Sequence, residues 1–320
     1  DSPEDPIMLG SKGRIQFFLD GLNDIPNLEK RLPQIITWLN SNNPPQRVII
    51  TSRRSELLAS LKLPIIHLRP LTPDHVTEYA KHYLGEANAK IVLSMLYPER
   101  EVMDRNIRHL QLMATNPFLL NTLLLIHKQS PQRGYPSNIG ELIKALVEEL
   151  WLREQERDES KSLHWDDVQA ALVDMAFNTM SGEGQTRYQP DNALLNAAVR
   201  AHYLYINGDY VRFSHPYIRA YFAALALRHV GLPTRLSRPV FDSQFRRVEQ
   251  RWDWAVMILA GIESNADSVV MSVAEVDPYL ALQCVMSGID ISEHTYTQVV
   301  EYLLERLRHE GDGRIAVAHL

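Results

Sequence analysis

The chain has 320 residues, room for about two or three domains, and its 45% hydrophobic and 22% charged content is that of an ordinary globular protein. With 33 basic and 39 acidic side chains the net charge is −6, which excludes a global basic field drawing it to nucleic acid or an anionic membrane. The one cysteine, Cys284, excludes an internal disulfide framework and a cysteine-based zinc site, and within the apolar run LALQCVM its expected role is packing.

The first element is carried by RIQFFLDGLNDI, residues 14–25. Ile15, Phe17, Phe18 and Leu19 form a short apolar run of the kind found in a strand covered on both faces. Asp20 stands at its carboxyl end, where open α/β sheets collect ligands, and offers oxygen to Mg²⁺ directly or through water. Gly21 lets the backbone turn there, and Asp24 on the following loop is placed to polarise a water near the same metal. An apolar strand ending in Asp-Gly also makes an ordinary turn, so the neighbouring elements decide.

Residues 28–39 read as an amphipathic helix with Leu28, Leu32, Ile35, Ile36 and Leu39 on one stripe, and 48–51 as a second strand ending in Ser52, Arg53 and Arg54. Strand, helix and strand make a βαβ unit with parallel strands and a right-handed crossover, which brings Asp20 and Arg53 to one sheet edge. The planar donor fork of Arg53 suits a terminal phosphate, although a solvated surface arginine is the commoner role. A third apolar run, LPIIHL at 63–68, closes this segment.

The middle of the chain is helical. Residues 71–84 open with Thr72, Pro73 and Asp74 and carry Val76, Tyr79, Ala80 and Tyr83 at helical spacing. Helices are expected over 105–114 and 117–128, the latter with Asn116 as N-cap and Pro117 at its first position. The uncharged stretch 110–126 around them is too short and too polar for a membrane span. With no secretory signal visible, a cytoplasmic location is expected.

After the turn-rich linker QSPQRGYPSN, helices over 139–156 and 165–180 lead to a short helix at 191–200. In YLYINGDYVRFSH two β-prone runs flank Asn207-Gly208, a strong hairpin signal. His215 follows at the start of the next helix, where capping or core packing is the ordinary role of a histidine, and Phe213, Tyr217, Tyr221 and Phe222 are expected in the core. Helix, helix, hairpin and helix together describe a winged helix. From 241 onward four helical segments follow, with Trp252, Trp254, Ile258 and Leu259 expected to be buried, in the pattern of a helical repeat array.

At this point the segments carry a family resemblance. FFLDGLND resembles the Walker B strand of NACHT-type STAND ATPases, the multi-domain signal-transduction nucleotide switches, and VIITSRR resembles their sensor strand. HLRPLTPDHVTEYA is similar to the exit from the nucleotide domain into a small helical domain, TNPFLLNTLLL to the family's helix-start proline motif, and VRFSHPYIRAYFAALAL to its winged-helix signature. The implied fold is α/β followed by mostly α. It comprises part of a parallel P-loop NTPase sheet (1–70), a small helical domain (71–135), a winged helix (136–232) and the start of HEAT-like repeats (233–320).

The resemblance further implies an ATP/ADP-dependent signalling switch in immune-type defence, antiphage defence included, with self-association on activation and an upstream effector region. In that scheme Asp20 serves Mg²⁺, Asp24 the attacking water, Arg53 the γ-phosphate and Pro117 the adenine, while His215 touches the β-phosphate of ADP and holds the closed state.

Two departures temper these expectations. Asn23 and Asp24 stand where the family commonly has a second Asp and a Glu, so hydrolysis in the parent is expected to be slow or absent. No GxxxxGK followed by Ser or Thr occurs, Gly10-Ser11-Lys12-Gly13 lacking the spacing, so the P-loop is expected upstream and this chain alone is expected to be inactive.

Two other function classes fit the same elements. One is a non-enzymatic helical interaction scaffold. The other is a winged-helix DNA-binding regulator, whose basic residues are sparse: Arg219 and Arg228 stand among alanines, and Arg235, Arg238, Arg246, Arg247 and Arg251 are interrupted by Glu249 and Asp253, as on a solvated helix face.

Overall fold

A computed structural model describes residues 16–22, 25, 28–41, 47–52, 59–98, 105–131, 134–232, 235–242 and 246–309. Asp24, Arg53, their neighbours Asn23 and Arg54, the 10–13 segment and the final GDGRIAVAHL lie outside the described residues. Contacts divide the chain into two units, Asp1–Arg69 and Pro70–Leu320, each described by itself.

In the first unit β1 (Phe17–Leu19) and β2 (Val48–Ile50) pair in parallel, with Phe17 opposite Val48 and Leu19 opposite Ile50. Parallel neighbours need a crossover, and α1 (Leu28–Leu39) supplies it. Its apolar stripe closes over Leu22, Leu28 and Leu61, with Leu32, Ile35, Ile36, Leu39 and Ile50 packed around them. Trp38 meets the ring of Phe17 edge-on at 5.2 Å.

The sheet is covered on one face rather than two. Alternation along the strands turns Phe18 and Ile49 away from α1, and they are 69% and 47% exposed. The 63–68 run forms no strand, and its Leu68 is 94% exposed.

The second unit begins with α2 (Pro73–Leu84) and α3 (Glu86–Leu96). Gly85 joins them at φ +77°, in the left-handed region that L side chains avoid. α3 was not legible in the sequence, because its N-terminus carries no side-chain cap and the preceding glycine marks only an interruption.

There follow α4 (Arg105–Ala114), α5 (Pro117–Gln129), α6 (Ile139–Gln155), α7 (Trp165–Ser181) and α8 (Ala193–Arg200). The strands β3 (Leu204–Asn207) and β4 (Tyr210–Phe213) form an antiparallel hairpin. Its two-residue connection is Gly208-Asp209, one position later than the Asn207-Gly208 signal, because the residue with positive φ is Gly208 at +60°.

α9 (Pro216–Val230) is apolar almost all round and is buried accordingly, packing on α6, α7 and α10 (Asp253–Ile262). Phe222 is fully enclosed against Tyr203, Phe213 and Trp165. A side chain of that size contributes about 1.5–3 kcal/mol on burial.

Beyond α10, α11 (Ala266–Ala274), α12 (Pro278–Met286) and α13 (Glu293–His309) pack on one another. Ile258, Leu259 and Cys284 are buried as expected, whereas Trp252 and Trp254 are only half-buried.

The arginines of 235–251 do not form a solvated helix face. No helix spans the described residues among them, and the Arg247 side chain is 2% exposed between Asp253 and Asp277. Arg246 pairs with Asp242, Arg251 donates to the carbonyl of Met180, and Arg235 lies over the ring of Phe177. Buried acids paired across elements, rather than water, absorb the central charge. The described residues are mainly helical with two small sheets, and none of their helices is long and apolar enough to cross a membrane.

Candidate functional site

Asp20 sits immediately after β1, with Thr51 immediately after β2 on the neighbouring strand. The Thr51 hydroxyl donates to Asp20 Oδ1 at 2.5 Å and accepts from the backbone N–H of Gly21 at 2.8 Å. Leu22 N–H reaches the Thr51 carbonyl at 2.9 Å, and Gly21 makes the turn at φ +71°. One carboxylate is thus held at the carboxyl edge of a parallel pair. The sequence pointed to Asp20 and Gly21 but not to Thr51, whose hydroxyl fastens the two strand ends together.

A single carboxylate suits a cation that takes most of its oxygens from water and phosphate, as Mg²⁺ does. Among the described residues no group of three or more His, Cys, Asp or Glu side chains is arranged to hold a metal. Among the described residues Asp20 thus offers one carboxylate of the kind Mg²⁺ takes together with water and phosphate oxygens.

In the second unit Pro117 opens α5, capped by Asn116, whose Oδ1 accepts from the N–H groups of Phe118 and Leu119 at 3.0 and 3.3 Å. Pro117 lacks an N–H that would be orphaned in the first turn in any case, so the ring faces out at no cost to the helix. It lines a cleft of about 420 Å³ with Leu120 one turn on and Leu71 before α2. The opposite wall is one face of α2, where His75, Glu78, Tyr79 and His82 recur at helical spacing.

The Tyr79 hydroxyl donates to Asn121 Oδ1 at 3.0 Å, which fixes its ring as a wall. His75 closes the capping box of α2: its Nδ1 accepts from Thr72 N–H at 3.4 Å and lies 3.1 Å from the Thr72 hydroxyl. A cleft of this volume, with apolar walls and a few polar groups, is sized for a small flat ligand.

His215 is the N-cap of α9 and accepts from Tyr217 N–H at 3.2 Å through Nδ1. Its ring lies flat on Phe118, centroids 3.5 Å apart and planes 4° from parallel, and Tyr217 packs against both rings. His215, 98 positions after Pro117 by their numbers, therefore packs on the residue that follows Pro117 in the chain, Phe118. Phe118, His75 and Glu78 were not singled out by sequence reasoning. An aromatic next to a helix-start proline reads as core, and two polar residues on an amphipathic helix read as its wet face.

Two tyrosines of the second unit, Tyr203 and Tyr221, are shielded from water. Burial pushes Tyr221 up to about 12, with the Glu148 charge adding to it, and burial likewise raises Tyr203 well above its usual range. The Tyr203 hydroxyl donates to the Val147 carbonyl at 2.6 Å, so it serves as an anchor for β3 rather than as an acid. The first unit thus carries a carboxylate edge, and the second, taken by itself, carries a proline-lined cleft and a stacked histidine. The chain matches no protein-family model and no curated protein.

Proposed function

We propose that this chain is the regulatory part of a NACHT-type STAND ATPase, an ATP/ADP-dependent signalling switch of immune-type defence. The observation that carries the reading is that His215 stacks on Phe118, the residue next to Pro117, which itself lines an apolar cleft. His215, to which the resemblance gives a phosphate contact, packs on the residue that follows Pro117, to which it gives the adenine.

In this reading the cleft takes the adenine: Pro117, Leu71 and Leu120 present stiff apolar surface, and the Tyr79 ring, held by Asn121, faces them. Phe118 holds the imidazole of His215 in one plane, so a phosphate contact by that ring requires no reordering. Asp20, oriented by Thr51, would hold Mg²⁺, which when bound neutralises charge on the phosphates. Gly21 and Thr51 keep the carboxylate at the strand edge.

The phosphates themselves require a P-loop, which this chain does not carry, together with Arg53. Activation is then exchange of ADP for ATP, release of the His215 contact and self-association, with the winged helix at 136–232 and HEAT-like repeats from 233 relaying the trigger to an upstream effector. Asn23 and Asp24 make hydrolysis slow.

Isothermal titration with ATP and ADP, on this chain and on a version extended upstream, tests the reading. Saturable ADP binding supports it. Binding by neither version returns the chain to the class of helical interaction scaffolds.

A further inference from the structure

We propose that Asn207 is a site of spontaneous covalent modification, its side-chain amide converting through a cyclic imide with Gly208 to aspartate and isoaspartate. The reaction needs only water, so it stands independently of the nucleotide reading.

The reactive pair occurs once in the sequence: of all the asparagines, only Asn207 precedes a glycine. Asparagine is thermolabile because its amide carbon lies within reach of the next residue's backbone nitrogen. A Cβ on that next residue crowds the approach, and Gly208 has none. Open space surrounds it, since even an added Cβ would meet nothing within 4 Å.

Both groups are exposed at the hairpin tip, and neither the Asn207 side chain nor the Gly208 N–H has a hydrogen-bond partner among the described residues. Comparable groups elsewhere are tied down. The Gly21 N–H after Asp20 donates to the Thr51 hydroxyl at 2.8 Å, and that hydroxyl holds the Asp20 carboxylate. Asn116, Asn138, Asn192 and Asn265 each accept a helix N–H through the side-chain oxygen. Asn207 is restrained through its backbone, by pairing with Tyr210 in the last rung of the β3–β4 ladder. Rungs at such ends open most readily.

In the first step the Gly208 nitrogen bonds to Asn207 Cγ and the Cγ–Nδ2 bond breaks. The amide nitrogen leaves as ammonia, carrying through solvent the proton that the glycine nitrogen gives up. Water then opens the imide at one of its two C–N bonds. Opening at Cγ gives aspartate with an ordinary backbone, and opening at the main-chain carbonyl gives isoaspartate, whose backbone runs through the former side chain. Either product sets a new carboxylate two positions from Asp209, and isoaspartate lengthens the chain at a rung whose register is fixed by the turn.

The test incubates the wild-type chain, folded and in urea, at neutral and mildly alkaline pH, followed by peptide mass spectrometry with electron-transfer fragmentation to separate the two products. In the folded chain Asn207 is expected to convert before every other asparagine, faster at the higher pH, with isoaspartate among the products. Gly208→Asp keeps Asn207 and suits the positive φ, but adds a Cβ. It is expected to bring Asn207 down to the rate of the other asparagines. Earlier conversion of a different asparagine in the folded chain overturns the assignment. So does an Asn207 that converts in urea but stays intact in the folded chain, or one that converts in Gly208→Asp as fast as in wild type.

Discussion

The imidazole of His215 lies flat against the ring of Phe118, 3.5 Å between centroids, and so ties the N-cap of α9 to the first turn of α5. The same histidine does two separable things: Nδ1 caps α9, and the ring packs on Phe118.

Asparagine is a good N-cap and has no ring, so His215→Asn separates the two roles. The variant is expected to retain the cap and lose the stacking, about 0.5–1.5 kcal/mol of stability by urea titration. In a version that binds ADP it is expected to loosen ADP about tenfold, equivalent to about 1.4 kcal/mol. Unchanged ADP affinity would remove His215 from the site and leave it a capping residue.

Arg247 sits between two buried carboxylates. Its Nε donates to Asp277 Oδ2 at 2.8 Å, and its terminal nitrogens reach Asp253 at 2.5 and 2.9 Å. Asp277 also caps α12, accepting from Leu280 N–H at 3.0 Å. Burial works against the arginine's charge, but the bonds to Asp253 and Asp277 outweigh it and raise its pKa. Arg247→Met leaves both acids without their cation and is expected to cost about 3–5 kcal/mol in chemical denaturation. Arg247→Lys is expected to restore only part of that, since an ammonium cannot reproduce the forked donors.

The helices α6 and α10 cross at glycines. A Cβ on Gly140 would stand 2.7 Å from the carbonyl oxygen of Ile258 and 3.0 Å from Gly261, both backbone and unable to yield like a side chain. Gly140→Ala is therefore expected to destabilise by about 1–3 kcal/mol, although alanine is the better helix former. A stabilised variant, read as a higher thermal midpoint, would show that the crossing can open.

His127 is buried on α5, its Nδ1 3.0 Å from the Tyr135 hydroxyl, and burial lowers its pKa from the ordinary 6.5. The unfolded chain takes up a proton as pH falls through 6.5 while the folded imidazole resists it. Its contribution is thus fully present above that pH and is lost as pH falls toward the lower folded value. His127→Gln is expected to flatten the stability profile between pH 7 and pH 5. A variant whose profile runs parallel to wild type throughout would assign the acid sensitivity to other groups.

How far the sequence led can be judged element by element. The Asn116-Pro117, Thr72-Pro73 and His215-Pro216 starts each became a helix N-terminus, because caps are local chemistry and need no tertiary partner. The Leu28–Leu39 stripe and the strands it joins were legible for the same reason. Long-range pairings were not. Nothing in the run from 235 to 251 announces that Arg247 is enclosed by acids from α10 and the start of α12, since that depends on a fold bringing Asp277 back to it. Nor does the strand pattern reveal which face stays open at Phe18 and Ile49. At the site, Pro117 and His215 stand out as residue types, but the ring joining them, Phe118, and the α2 wall opposite Pro117 emerge only from packing.

The most direct test of the central claim is methyl-detected NMR of the 320-residue chain titrated with ADP. The account predicts saturable shifts concentrated on the methyls of Leu71 and Leu120, which line the cleft, with the shifts abolished in Pro117→Glu. Shifts confined to residues elsewhere would contradict it, as would none up to millimolar ADP in both this chain and the version extended upstream.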